Sequence, residues 1–187
     1  MEYDGAGITG RPPEDSVVQA SQHLCVVCSD LPRSIASAMA LGVNQVDISE
    51  RLFREMNLPY FDKTRIKLPL HIWVIILRSL WFMGFSKNSE SYRKARSRAK
   101  QAADKLIELA SVHRSVLLVG HGFLNHYIAK ELLRKGWVGP LQSWKKVLGI
   151  RYLRIDCEHR VNSKSVQICY ESISESVDDA STSGRSC

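Results

Sequence analysis

One arginine and one histidine, each just beyond a compact apolar run, carry the most readable chemistry in this sequence. Leu24-Cys25-Val26-Val27-Cys28 leads into Ser29-Asp30-Leu31-Pro32-Arg33, and Ser115-Val116-Leu117-Leu118-Val119 leads into Gly120-His121-Gly122. Apolar runs of this length, closed by turn residues and followed by helical spacing, predict two strand-turn-helix units. If the two strands lie parallel in one sheet, their turns open at the same carboxyl edge, where α/β proteins place ligands. Arg33 there offers a planar fork of donors matched to phosphate oxygens, and His121 between two glycines lets the backbone approach a ligand closely. Each stands by a helix N-terminus whose N–H groups and positive dipole end suit an anion. Alone, Arg33 would be read as an ion-pairing residue and His121 as a capping histidine; as a pair on matching turns they predict an oxyanion pocket.

The elements that must position this pair follow from the local patterns. Glu14 to Ser21 predicts a short helix. Ser29-Asp30 is the expected cap of a helix with Pro32 in its first turn and an apolar stripe of Leu31, Ile35, Ala38 and Met39 ending at Gly42. A short strand is expected near Val46, then a long irregular connection to Lys67 that holds Glu50 and Glu55. Tyr92, Ala95, Ala99, Ala102, Ala103, Leu106 and Ala110 define one face of a helix, with Arg93, Lys94, Arg96, Arg98, Lys100 and Lys105 on its solvated side. Leu124, Ile128, Ala129, Leu132 and Leu133 pattern the helix after His121. Segments 147–155 and 164–170 are expected as an antiparallel strand pair around a turn near Asn162. Residues 172–187 lack apolar periodicity and are expected to be disordered.

With 187 residues, 44% hydrophobic and 24% charged, the chain can bury one ordinary core, so residues 1–171 are expected to form a single domain with a helical insertion around 60–88. Its 26 Lys+Arg against 19 Asp+Glu leave a formal charge of +7, which favours anionic ligands without choosing among them. The basic side of one helix is read as its wet face, and nucleic acid is not an expected partner. Five cysteines, an odd and scattered number, fit a reducing cytoplasm better than a disulfide-stapled domain. Cys25-x-x-Cys28 lies inside a strand with no second ligand pair, so buried thiols are expected and no metal or other cofactor is assigned. The opening MEYDGAGITGRPPEDS has acids and prolines where a secretory signal needs a basic start and an apolar run. Leu68 to Phe85 is the one membrane-like stretch, but it carries His71 and Arg78 and is short for a span. Its readings are a lid, core packing, or an apolar surface contacting a membrane or a partner, and a homo-oligomer is a separate open expectation.

Two of these segments resemble signatures of the histidine phosphatase superfamily, also called phosphoglycerate mutase-like: Ser29-Asp30-Leu31-Pro32-Arg33-Ser34 with its Ala-rich helix, and Leu117-Leu118-Val119-Gly120-His121-Gly122 followed by Asn125. A weaker likeness extends from about Gly7 to Trp137. The resemblance implies a three-layer α/β/α sandwich with a mostly parallel sheet and a phosphohydrolase acting on a small phosphomonoester. It further implies that Arg33 holds the phosphoryl group, that His121 binds it and stabilises the transition state, and that Glu55, with Glu50 in reserve, protonates the leaving oxygen. Cations stabilise charge on a transferring phosphoryl group, and a positioned carboxylic acid helps an alkoxide leave.

The sequence departs from the family in one respect. The family's nucleophile is a histidine in an Arg-His-Gly motif at the end of its first strand, and no such tripeptide occurs in this chain. His23 precedes a strand at its amino end and His126 lies one turn into a helix, so neither is promoted to nucleophile. The expectation is a truncated or impaired form of the enzyme, with a non-catalytic phospholigand-binding or partner-binding protein as the alternative. A missing first strand is also expected to leave unpaired backbone groups inside the sheet.

Overall fold

The computed structural model describes residue 12 and residues 14–21, 25–60, 68–139, 149–155 and 164–171. The expected turn near Asn162 and the expected disorder of 172–187 lie outside these residues. Ten helices and strands follow in the order α1 (Glu14–Ala20), β1 (Cys25–Cys28), α2 (Pro32–Ala40), β2 (Ile48–Ser49), α3 (Leu70–Phe82), α4 (Tyr92–His113), β3 (Ser115–His121), α5 (Gly122–Arg134), β4 (Gly149–Ile155) and β5 (Lys164–Glu171). A 3-10 turn, Arg51–Phe53, follows β2.

The strands form one sheet in the order β2-β1-β3-β5-β4, parallel except for the antiparallel β4. Alternation along the strands splits their side chains between two cores. Val27, Val116, Leu118, Val166 and Ile168 face Trp81 of α3, the alanines of α4 and the apolar stripe of α5. Val26, Cys28, Leu117, Val119 and Cys169 face Ala20 of α1, Ala38 of α2 and Leu41. Helices therefore cover both faces, which gives the three-layer α/β/α arrangement expected of buried parallel strands.

Among the described strands the expected gap inside the sheet is not found. β3 pairs with β1 on one side and, over its whole length from Ser115↔Ser165 to His121↔Glu171, with β5 on the other. The chain's own late strand thus satisfies the backbone groups that a missing strand would leave bare.

Local packing corrects three details of the sequence reading. Asp30 does not cap α2: the N-cap is Leu31, without a side-chain cap bond. The Asp30 carboxylate instead takes a two-pronged ion pair from Arg54, with Arg54 Nη2 at 2.8 Å from Asp30 Oδ2. The buried stripe of α2 is Ser34, Ser37 and Ala38, and Met39 is 48% exposed. The strand expected near Val46 forms at Ile48–Ser49, where the N–H of Glu50 donates to Cys28 O.

Buried alanines on α4 let that long helix lie close to the sheet, and Ser91 caps it by accepting from the Lys94 amide. Gly84, at φ +101°, ends α3 in the left-handed region that glycine tolerates, and Phe85 N–H returns to Leu80 O at 2.9 Å. Cys25 and Cys28 are buried, as expected, and so is Cys169; burial, with Asp47 adding to it, pushes the Cys25 thiol up.

Candidate functional site

Three elements converge on the carboxyl edge of β1 and β3. β3 runs two residues further than its apolar core suggests, so His121 is the strand's last residue and α5 begins at Gly122 with no intervening loop. Arg33 is the second residue of α2 and is half-buried. The neighbouring Ser34 Oγ, fully buried, donates to Val119 O at 3.1 Å, which ties the first turn of α2 to the end of β3. The matching-turn geometry expected for Arg33 and His121 is therefore present in the backbone.

Glu55 reaches the same edge from the irregular connection. Its carboxylate accepts from the amides of Phe123 (3.2 Å) and Leu124 (2.9 Å), the first turn of α5, and from its own neighbour Met56 (2.8 Å). A carboxylate on the free N–H groups of a helix start is favoured by both hydrogen bonding and the helix dipole. The result places Glu55 within two residues of His121 although 66 positions separate them in sequence. Glu50 stands at the entrance to the 3-10 turn beside the end of β1.

Gly120 also has a packing role. A Cβ there would come within 3.2 Å of Asn125 Oδ1, so its missing side chain makes room for Asn125, whose Nδ2 donates to Cys169 O at 3.0 Å. The glycine thus serves the packing of α5 on the sheet.

Two arginines that the sequence placed elsewhere belong to this neighbourhood. Arg78 of α3 lies 3.8 Å from the centroid of the Phe123 ring and 5.1 Å from that of Trp81, and Nη1 donates to Met56 O at 3.4 Å. Burial pulls its pKa below the usual guanidinium value, with Glu55 and then Tyr127 opposing that shift. An arginine remains charged under such a shift, so Arg78 is a cation standing against the site's carboxylate. Tyr127 shares a hydrogen bond with Tyr92 at 3.3 Å, and its hydroxyl is pushed up to about 12, first by burial and then by that bond. Tyr127 is therefore neutral at physiological pH.

Arg98 is the second. It lies on the α4 side read as solvated, yet its side chain is only 18% exposed. It donates to the backbone carbonyls of Leu52, Arg54 and Glu55 while pairing with Glu90. One guanidinium thus fixes the segment that carries Glu55. The lone arginine inside an apolar run was a usable signal for Arg78; nothing in the spacing pointed to Arg98, because its partners are backbone carbonyls more than forty residues away.

The Asp30–Arg54 pair holds the same segment to the end of β1, and the Arg54 guanidinium keeps the Asp30 carboxyl below the usual carboxylate range. A depressed carboxylate stabilises the fold above its unfolded-state pKa of about 3.9 and loses that contribution as pH falls through its folded-state value. We expect Asp30→Asn to lower the melting temperature slightly at pH 7, and the difference from the parent protein to shrink in acid. Thermal melts of both proteins between pH 7 and pH 3 check this.

A mostly parallel sheet under helices on both faces, with charged groups gathered at its carboxyl edge, is the architecture in which α/β proteins place their ligands at that edge. The family model of the histidine phosphatase superfamily (branch 1) matches residues 17–147, and the chain belongs to that superfamily. No curated protein matches it. Among solved structures it is similar to an open reading frame of Mycobacterium tuberculosis, at 19% identity and a TM-score of 0.48, over 64% of this chain and 64% of that one. That overlap is less than two thirds of the relative's length. It is also similar to a mycobacterial hydrolase (19% identity, TM-score 0.48, 82% of this chain and 81% of that one). A third is a mycobacterial glucosyl-3-phosphoglycerate phosphatase (20% identity, TM-score 0.44, 70% and 73%). Among the described residues no helix is long and apolar enough to cross a membrane, and no group of histidines, cysteines and carboxylates is placed to hold a metal ion.

Proposed function

We propose that the carboxyl edge is the phosphate site of a phosphohydrolase acting on a small phosphomonoester, and that the chain as given is impaired in the covalent step. The observation that carries the reading is the seat of Glu55 on the first amides of α5, immediately beyond His121. Arg33 holds the phosphoryl oxygens, His121 binds the same group and stabilises the charge that builds on it, and Glu55, which the α5 amides hold as a carboxylate, takes up a proton at this edge and then delivers it to the leaving oxygen. These residues bind and protonate. The attack on phosphorus needs a further nucleophile, and the sequence holds no Arg-His-Gly tripeptide to supply it.

Binding and turnover must therefore be measured separately. Isothermal titration calorimetry with inorganic phosphate is expected to show binding that Arg33→Ala weakens by roughly tenfold or more, the effect of losing charge-assisted hydrogen bonds. Hydrolysis of glycerol 2-phosphate, an alkyl phosphomonoester whose alkoxide needs a proton to leave, is expected to be slow and to fall further in Glu55→Gln. Phosphate binding with no turnover at all would favour the non-catalytic phospholigand-binding reading, and binding unchanged in both Arg33→Ala and His121→Ala would place the phosphate site elsewhere.

A further inference from the structure

The apolar helix α3 is only partly absorbed by the core. Trp81 is fully buried and Arg78 packs beneath the helix, but Leu68, Ile72, Ile75, Ile76, Phe82 and Met83 are exposed, Ile75 to 63% and Met83 to 76%. At 100° per residue the five from Ile72 to Met83 fall within an arc of about 120° on a helix roughly 20 Å long, while Leu68 stands before the N-cap Pro69 and the exposed Val74 lies about 80° outside the arc. The one polar residue inside the arc, Ser79, donates its hydroxyl to Ile75 O at 2.9 Å, so the stripe offers no unmet hydrogen-bonding group of its own. His71 stands at its rim, exposed.

The charges within the segment that carries this stripe have one sign. No acidic residue occurs from Leu68 to Ser89, while Lys87 is exposed in the connection that follows α3. The Phe82 ring packs on Tyr92, with centroids 5.2 Å apart, which brings the first turns of α4 and their exposed Arg93 and Arg96 alongside the end of the stripe. The first acid, Glu90, is engaged by Arg98.

We propose that this face docks on an anionic lipid bilayer, with α3 lying in the interfacial plane. Apolar side chains supply the insertion, and the flanking cations meet lipid phosphates and carboxylates. The charge pattern selects this occupant over a second copy of the chain. A two-fold pairing of the same stripes would bring the cations of both copies together without an acid to offset them.

Vesicle co-sedimentation of the full chain tests the proposal, with phosphatidylcholine alone and with a three-to-one mixture of phosphatidylcholine and phosphatidylserine. Binding to the mixed vesicles is expected, weakening as salt rises. Ile75→Asp and Met83→Asp, both at exposed positions that the core does not need, are each expected to lower partitioning by about tenfold or more with unchanged circular dichroism. Arg93→Glu with Arg96→Glu is expected to lower it by at least about twentyfold, on the mixed vesicles only, at about fivefold per cation. The proposal is overturned by absence of binding, by equal binding to both vesicle types, by variants that bind like the parent, or by a dimer in analytical ultracentrifugation that Ile75→Asp dissociates.

Discussion

Replacing Arg98 by alanine is expected to destabilise the protein by about 3 kcal/mol and to release Glu55 from the start of α5. The guanidinium bridges Glu90 and three backbone carbonyls between Leu52 and Glu55. Its loss leaves a half-buried carboxylate and three acceptors without their donor, and breaking such a partly buried charged network by removing one partner typically costs 3–5 kcal/mol. Arg98→Lys should recover little of this, because an ammonium cannot span the same acceptors with a planar fork. Urea denaturation gives the stability change, and the amide resonances of Phe123 and Leu124, which donate to Glu55, report the release directly. Unchanged amide shifts in Arg98→Ala would mean that the Glu55 segment is held by other contacts, with the Asp30–Arg54 pair the next to test.

Trp81→Ala should cost still more, about 3–5 kcal/mol, the range for deleting a buried tryptophan. The side chain is fully buried, donates from Nε1 to Glu90 O at 2.7 Å, and has Tyr92 edge-on at 5.2 Å and Phe123 at 6.2 Å between centroids. It locks α3 to the start of α4 and to the first turn of α5, so the cavity would open directly behind the Glu55 seat. Trp81→Phe keeps most of the ring packing and loses the hydrogen bond, and about 1–2 kcal/mol is expected for it. If the two substitutions were equally damaging, the hydrogen bond rather than the ring volume would dominate.

The residues that define the edge were legible because their signals are local. A compact apolar run, a turn and a helical stripe mark β1 with α2 and β3 with α5, and this was enough to bring Arg33 and His121 to one side of the sheet. Ala-rich α4 and the antiparallel pairing of β4 with β5 were read from spacing in the same way. Glu55 was nominated through the family resemblance, and its bond to α5 is a long-range contact that no local pattern encodes.

What escaped the sequence reading has a common physical cause. Arg98 looks like one more charge on a wet helix face, and its burial depends on where the segment from Leu52 to Glu55 crosses that helix. Asp30 is a good cap by residue type, but a bidentate partner in Arg54 outcompetes the capping bond. Met39 fits the apolar spacing of α2, yet small Ser34 and Ser37 take the buried positions because that helix sits close to the sheet. The continuous pairing of β3 was missed because the partner strand follows it by some fifty residues, beyond any periodicity argument.

That pairing also constrains how the molecule can be made. β3 emerges in synthesis with β1 already available on one side, but its other edge stays bare until the chain has been extended through β5. At about 5–20 residues per second that interval lasts several seconds. Throughout it the nascent protein presents an apolar strand with open backbone groups, a template for pairing with another chain. Closing a parallel pair across so long a loop is slow in its own right. Pairing of the last described strand is thus the step that closes the bare edge of β3 during synthesis.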